Sequence, residues 1–151
     1  NRINQEEIIQ KIKAVGEAML ALGLQNTHSG NISVRWGKDF FITKTGSMKG
    51  HLEDRDIILV GLEEPRSGLF QASSETGTHQ KILSFSGAAM HAHSLASVLL
   101  SYRHSSLQPV DALGKLYLQE IQVSHCEAIK NLDVHLNKNG DRKLELKALD
   151  F

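Results

Sequence analysis

The hydrophobic pattern changes its period within the first 60 residues, and this change limits the folds open to the chain. Over residues 5–22, apolar side chains recur every three or four positions, which predicts one amphipathic helix. Asn4 is in place to cap its start, and Gly23 follows its end. Beyond residue 31 the apolar residues alternate or form short runs, as β-strands require. We expect the helix at residues 5–22 to pack against the rest of the fold, and its sequence contains no candidate catalytic or metal-binding motif.

Short strands and helices follow one another without strict alternation, which favours an α/β layered domain with much antiparallel pairing. Residues 32–35 and 40–43 are the predicted strands of a hairpin that turns at 36–39. Residues 57–60 are apolar on both faces, so we expect a central strand there. The remaining predictions are a loop at 63–71, a helix from Ser73 or Ser74 to about Phe85, a strand at 88–93, a helix at 94–101 with Leu95, Val98 and Leu99 inward, a strand at 117–123, and either a helix or a strand at 144–149.

The composition excludes several classes of partner. Seventeen basic residues balance seventeen acidic ones, so nothing indicates binding to nucleic acid or to an anionic membrane. The single cysteine, Cys126, excludes an internal disulfide and favours a reducing compartment. No apolar run is long enough to span a bilayer. We expect a cytoplasmic protein whose residues 1–151 form one domain.

Two histidines two positions apart, His91 and His93, carry the strongest chemical signal. On an extended strand such side chains project from the same face, about 6.6 Å apart. Both rings can then reach one cation, and imidazole nitrogens suit Zn²⁺ and its first-row neighbours. The alternative is that the two rings are merely a polar edge of a sheet. The pair predicts a site for Zn²⁺ or another divalent first-row metal.

Three loops combine small residues with hydroxyl or amide groups, at residues 27–31, 43–47 and 72–74. Glycine lets the backbone approach a ligand, and the free N–H groups of a turn or helix start can bind phosphate without a net positive charge. Ordinary turns have the same composition, so each loop alone is a weak signal. Together with the histidine pair in a neutral chain, they predict a site for a phosphorylated small molecule.

Glu75 is the candidate general base. We expect it in the first turn of its helix, where the helix dipole stabilises a carboxylate. The same dipole explains an acidic residue at this point without any chemistry. His79, one turn later, could orient Glu75 or simply line the same helix face. Enolate chemistry needs a cation for the negative oxygen and a carboxylate to move a proton, and the histidine pair and Glu75 would supply them.

Four motifs, in this order along roughly residues 6–104, resemble the class II aldolase/adducin family. The motifs are Ser29-Gly30-Asn31-Ile32-Ser33, Ile42-Thr43-Lys44-Thr45-Gly46, Ser73-Ser74-Glu75 and His91-Ala92-His93. The resemblance implies a three-layer α/β/α sandwich with a mainly antiparallel central sheet. It also implies a homotetramer with sites between subunits and a Zn²⁺ ion held by three histidines.

The same resemblance assigns roles by position. His91 and His93 match the metal ligands, and Glu75 matches the catalytic acid/base. The positions that match the family's phosphate-binding residues are Gly30, Asn31, Thr45, Gly46, Ser73 and Ser74.

The third metal ligand departs from the family pattern. The family takes it from a His-Gly pair further along the chain, and here the nearest match is Asn139-Gly140. His125, His135 or a residue beyond the chain end could replace it. Family members are commonly longer than this chain, so we expect a C-terminal segment to be missing.

Three functions stay open. The resemblance implies a zinc-dependent lyase that cleaves a ketose 1-phosphate, a phosphorylated sugar, through a metal-stabilised enediolate. Residues 46–52 and 125–130 look more like the methylthioribulose-1-phosphate dehydratase branch, in which Glu127 would be a second catalytic residue. A non-catalytic adducin-like interaction domain would keep the fold and lose the metal.

Overall fold

The computed structural model describes residues 4–26, 28–62, 75–125 and 145–148. The chain divides into two compact units, residues 1–95 and residues 96–151. Within the described residues, no helix combines the length and the apolar character needed to cross a bilayer. The prediction of one domain at 1–151 that lacks a C-terminal segment stays a prediction.

The first unit is built around a four-stranded antiparallel sheet with the strand order β3-β2-β1-β4. Short 3₁₀ turns at Lys49–His51 and Asp54–Asp56 connect β2 to β3. The helices and strands of this unit are α1 (Gln5–Ala21), β1 (Asn31–Trp36), β2 (Asp39–Thr43), β3 (Ile57–Gly61), α2 (Thr76–Leu83) and β4 (Ala88–His91).

Helix α1 begins and ends where its local sequence predicts. The Asn4 side chain accepts a hydrogen bond of 2.7 Å from the backbone N–H of Glu7, which satisfies a donor that the first helical turn leaves unpaired. Gly23 follows the helix with a φ of +66°, a conformation that glycine adopts without strain. The predicted cap and stop are both confirmed.

Two hydrophobic cores lie on opposite faces of the sheet. Alternation along β2 turns Phe41 towards one face and Phe40 towards the other. Phe41 clusters with Ile12 and other buried residues of α1, whereas Phe40 clusters with Leu83 of α2. The sheet is therefore a middle layer with a helix on each side, and the predicted α/β/α architecture with a mainly antiparallel sheet is confirmed in this unit.

Strand β3 lies at the edge of the described sheet, so the prediction of a central position is wrong. Ile57 belongs to the core on the α1 side and Val60 to the core on the α2 side. Because a helix covers each face of the sheet, an edge strand here is apolar on both faces as well. Apolar residues on both faces of a strand indicate that both faces of the sheet are covered. They do not indicate whether the strand has a neighbour on each side within the sheet.

The second unit is described by its own short elements. Strand β5 (Ser106–Leu107) pairs antiparallel with β6 (Ile121–His125), and β6 pairs parallel with β7 (Glu145–Ala148), where the sequence left helix and strand open. Tyr117 ends helix α4 (Ala112–Tyr117), so the strand predicted from residue 117 begins four residues later. Asp111 caps α4 through a 2.8 Å hydrogen bond from the N–H of Gly114, which favours the helix over an extended start.

Helix α3 (Leu95–Ser101) forms as predicted, but the inward placement of its leucines is wrong. Leu95 is 69% exposed and Leu99 is 56% exposed in this chain. Periodicity shows which residues of a two-turn helix share a face, and it does not show whether another element covers that face.

Substitution of Gly16 should destabilise the first unit. A Cβ atom at Gly16, in α1, would overlap the backbone oxygen of Lys49, whereas a Cβ at Gly77, in α2, would meet nothing within 4 Å. Gly16→Ala should therefore lower the free energy of unfolding by about 1–3 kcal/mol. The matched change Gly77→Ala should raise it by about 0.5–1 kcal/mol, because alanine is the better helix former. Urea denaturation of both variants measures the difference, and equal losses would contradict the close packing at Gly16.

Candidate active site

The candidate catalytic and metal-binding residues lie together at one end of the four-stranded sheet. The start of β1 lies opposite the end of β4, with Asn31 in register with His91. The end of β2 is beside them, since the N–H of Ile32 donates to Oγ1 of Thr43 over 3.2 Å. The loops that enter β1 and leave β2 therefore emerge at the same end as the histidine pair.

The Glu75 carboxylate points into this end of the sheet. Helix α2 begins at Thr76, so Glu75 occupies the capping position and not the first turn that the sequence predicts. Its side chain makes no capping bond. Oε2 instead accepts a 2.8 Å hydrogen bond from Nδ2 of Asn31 and is in direct contact with Nδ1 of His91. The Glu75 carboxylate therefore binds Asn31 and His91 and does not cap helix α2.

The contact between Glu75 and His91 determines which imidazole nitrogen carries the proton. Burial raises the pKa of the Glu75 carboxyl, but the bond to His91, the charge of His91, the bond from Asn31 and the charge of His79 together hold it below its ordinary value. An ionised carboxylate can only accept, so Nδ1 of His91 is the donor. Nε2 of His91 then keeps a lone pair that a metal ion can use.

His93 lies next to His91 although the strand does not reach it. Strand β4 ends at His91, so the predicted strand to residue 93 is two residues too long. The two rings are nevertheless close, with their centroids 4.5 Å apart and their planes tilted by 48°. Burial, followed by the charge of His91, lowers the pKa of His93 against the opposing charge of Glu75. A neutral imidazole is the form that binds metal.

The described residues supply two imidazole donors for a metal. Within this part of the chain, no group of three or more His, Cys, Asp or Glu side chains is arranged to hold an ion. A catalytic zinc site normally takes three protein ligands, so the histidine pair fits as part of a site that needs one more. The side chains of His125, Ser73, Ser74, Glu127 and His135 lie outside the described residues.

His79 contacts a residue that sequence reasoning missed. Its Nδ1 lies 2.6 Å from Oγ of Ser33, and both side chains are buried. The backbone N–H of His79 donates to the carbonyl of Glu75 over 3.0 Å, as helical geometry requires. The available signal was alternation in β1, which turns Ser33 to the same face as Asn31. The contact between His79 and Ser33 thus joins α2 to β1.

The buried His79 should make the stability of the fold depend on pH. Burial, which outweighs the charge of Glu75, lowers the pKa of His79 from 6.5 to about 4. The unfolded chain therefore binds a proton first, and the stability due to neutral His79 is complete above pH 6.5 and is lost as the pH falls towards 4. The loss should reach about 2–3 kcal/mol.

His79→Gln should remove this part of the pH dependence, because glutamine does not titrate. Urea denaturation of both proteins between pH 7.5 and pH 4 measures it. Parallel stability curves for the wild type and the variant would show that His79 is not the titrating group.

Comparison with known protein families identifies one match that spans most of the chain. The model of the Class II Aldolase and Adducin N-terminal domain matches residues 10–147. The matched region contains all four sequence motifs.

Two of the individual relatives have different named activities. A methylthioribulose-1-phosphate dehydratase from Acidiphilium cryptum is 35% identical over 102 residues, which cover 64% of this chain and 48% of the relative. An L-fuculose phosphate aldolase from Methanocaldococcus jannaschii is 32% identical over 96 residues, covering 61% of this chain and 52% of the relative. The chain thus spans about half the length of these curated relatives.

A solved structure supports the fold at similar identity. The L-fuculose-1-phosphate aldolase from Thermus thermophilus superposes with a TM-score of 0.70 and 35% identity, over 80% of this chain and 64% of the other. The expected fold is therefore confirmed by an experimentally determined relative.

Proposed function

Because this chain belongs to the class II aldolase and adducin N-terminal domain family, we propose that it is part of a metal-dependent lyase acting on a phosphorylated sugar. The observation that carries the proposal is the Glu75 carboxylate in contact with His91, beside a second imidazole at His93. The reaction proposed first is aldol cleavage of a ketose 1-phosphate. The homotetramer and the cytoplasmic location stay predictions.

His91 and His93 would hold Zn²⁺ or another divalent first-row metal. The orientation of His91 supports this role, since its Nδ1 faces Glu75 and its Nε2 is left to act as ligand. The identity of the third ligand stays a prediction. When bound, the metal supplies positive charge that stabilises negative charge on a substrate oxygen.

Backbone N–H groups at the same end of the sheet would bind the substrate phosphate. Gly30 and Gly46 have φ values of +73° and +72°, so their loops turn in a way that other residues adopt only with strain. Asn31 and Thr45 adjoin these glycines, and Ser73 and Ser74 would complete the set. A neutral chain can hold an anion in this manner without a basic patch.

Glu75 would transfer the proton. Its ionised carboxylate is held in place by Asn31 and contacts His91, so it would lie beside a substrate bound at the histidine pair. In aldol cleavage, the hydroxyl on the departing carbon loses its proton and becomes the aldehyde carbonyl as the bond between the two carbons breaks. The Glu75 carboxylate would take up this proton and then deliver it to the carbon that the aldehyde has left. The Asn31 side chain thus orients the carboxylate, in addition to the phosphate role that its position suggests.

Dehydration of methylthioribulose 1-phosphate is the second candidate, favoured by the dehydratase among the relatives. In that reaction a base removes a proton and a hydroxyl leaves as water, which needs a second proton carrier. Glu127 would fill this role, and it lies outside the described residues. The sequence matches to a dehydratase and to an aldolase cover similar shares of this chain, and aldol cleavage is placed first because the solved structure with 35% identity is an aldolase.

A two-substrate assay separates the candidates. The purified protein, loaded with Zn²⁺, should release dihydroxyacetone phosphate from L-fuculose 1-phosphate, detected with a coupled dehydrogenase. Formation of a diketone from methylthioribulose 1-phosphate, lost on Glu127→Gln, would instead establish the dehydratase. Absence of turnover on both compounds by a folded, metal-loaded protein would contradict the proposed function.

A further inference from the structure

We infer that Lys49 is a positioning residue that braces two loops against each other, the β1 loop (residues 26 and 28–30) and the β2 loop (residues 44–47). The inference rests on the proposed function, because these loops carry the backbone groups assigned to the substrate phosphate. No part of the family resemblance gives Lys49 a role.

The contacts of the Lys49 amino group span the two loops. Nζ donates to the carbonyl oxygen of His28 over 3.2 Å and to that of Ser47 over 2.8 Å. Lys49 is only 2% exposed, although lysine normally keeps its amino group in water. Burial of such a group is unfavourable unless its donors are paired, and two of its three N–H groups donate here to one backbone oxygen in each loop.

Each loop has bonds that shape it internally. In the β1 loop, the Asn26 side chain accepts hydrogen bonds from the N–H groups of His28 and Ser29, over 3.1 Å and 2.7 Å. In the β2 loop, the Ser47 hydroxyl donates to the carbonyl of Lys44 over 2.8 Å. These bonds set the form of each turn, whereas the Lys49 amino group sets the distance between the turns.

The backbone of Lys49 gives the brace a rigid base. Its carbonyl oxygen packs so closely on Gly16 of α1 that no side chain fits between them. At the other end, the β1 loop packs equally closely on the sheet, because a Cβ at Gly30 would overlap the carbonyl oxygen of His91. A movement of Lys49 would therefore shift the β2 loop relative to the β1 loop, which is fixed against His91.

Preorganisation is the physical reason for such a brace. Backbone N–H groups bind phosphate well only if they already point at one place, since ordering a loop on binding uses part of the binding energy. Burial lowers the pKa of Lys49, and the charge of Asp56 opposes this shift. The acidic neighbour thus helps to keep the amino group as a donor inside the protein.

Amide hydrogen exchange without any ligand tests the brace directly. Lys49→Met removes the donors and keeps an unbranched apolar side chain, and Lys38→Met makes the same change on an exposed lysine in the β1–β2 turn. Exchange in both loops should become about tenfold faster in Lys49→Met, because two charge-assisted hydrogen bonds are lost. It should stay unchanged in Lys38→Met, and strand β2 serves as the internal reference. Equal exchange in the wild type and Lys49→Met would overturn the inference; should Lys49→Met fail to fold, Lys49→Gln carries the same comparison.

Calorimetric titration with inorganic phosphate then tests what the brace is for. The affinity should fall about tenfold in Lys49→Met, which corresponds to about 1.4 kcal/mol, while the bound metal stays unchanged. Faster exchange with unaltered phosphate affinity would overturn the positioning role. A wild-type protein that binds no phosphate would count against the proposed function instead, and the exchange result would still decide whether Lys49 braces the loops.

Discussion

Glu75→Gln should lower kcat by about 10²–10⁴-fold, which is the usual contribution of a general acid or base. Glutamine has nearly the same shape, and its side-chain oxygen can still accept hydrogen bonds from Asn31 and His91. It cannot take up a proton, so the transfer step is lost while the site keeps its form. Steady-state kinetics on the substrate that the two-substrate assay identifies measures the effect.

The matched control for this change is Glu17→Gln, which alters an exposed carboxylate on α1. Turnover should be unchanged in the control, and metal content and thermal unfolding should be unchanged in both variants. If Glu75→Gln loses stability but turns over normally, Glu75 is a structural residue at the start of α2 and not the proton carrier.

Replacement of His91 and His93 by alanine should remove nearly all bound metal. Two of the three proposed ligands disappear together, and a single remaining imidazole holds a divalent ion only weakly. Metal analysis after dialysis measures the stoichiometry. His51→Ala removes an exposed histidine from the 3₁₀ turn after β2 and should leave the metal in place.

The metal affinity of the wild type should also fall below about pH 6, because imidazole must be neutral to act as a ligand. Unchanged stoichiometry in the double variant would refute the ligand assignment. A folded wild type that takes up no metal at neutral pH would favour the non-catalytic adducin-like domain that the missing third histidine leaves open.

Local signals in the sequence predicted the local parts of the fold. The Asn4 cap, the Gly23 stop and the hairpin of β1 and β2 each depend on residues within a few positions of one another. Their outcome was therefore predictable from spacing and residue type alone. The limits of α2 and β4 were not, because Thr76 and His91 mark ends that are set by packing against the rest of the sheet.

The sequence predicted which side chains share a face of a strand or helix, but not whether that face is buried. The alternation in β2 correctly separates Phe40 from Phe41, yet the edge position of β3 and the exposure of Leu95 contradict their apolar patterns. A pattern states that a side chain favours an apolar environment, and the partner that supplies it comes from elsewhere in the chain.

The sequence by itself determined the chemical residues of the candidate site, since a histidine pair, a carboxylate and small polar loops can be read from their types and order. Tertiary structure alone decided their arrangement. Glu75 meets His91 across 16 positions and Asn31 across 44, because the antiparallel sheet places the start of β1 beside the end of β4. The partner of His79 and the loops joined by Lys49 have the same origin. A contact between distant residues depends on strand register and layer packing, and neither is encoded in the spacing of the residues that meet.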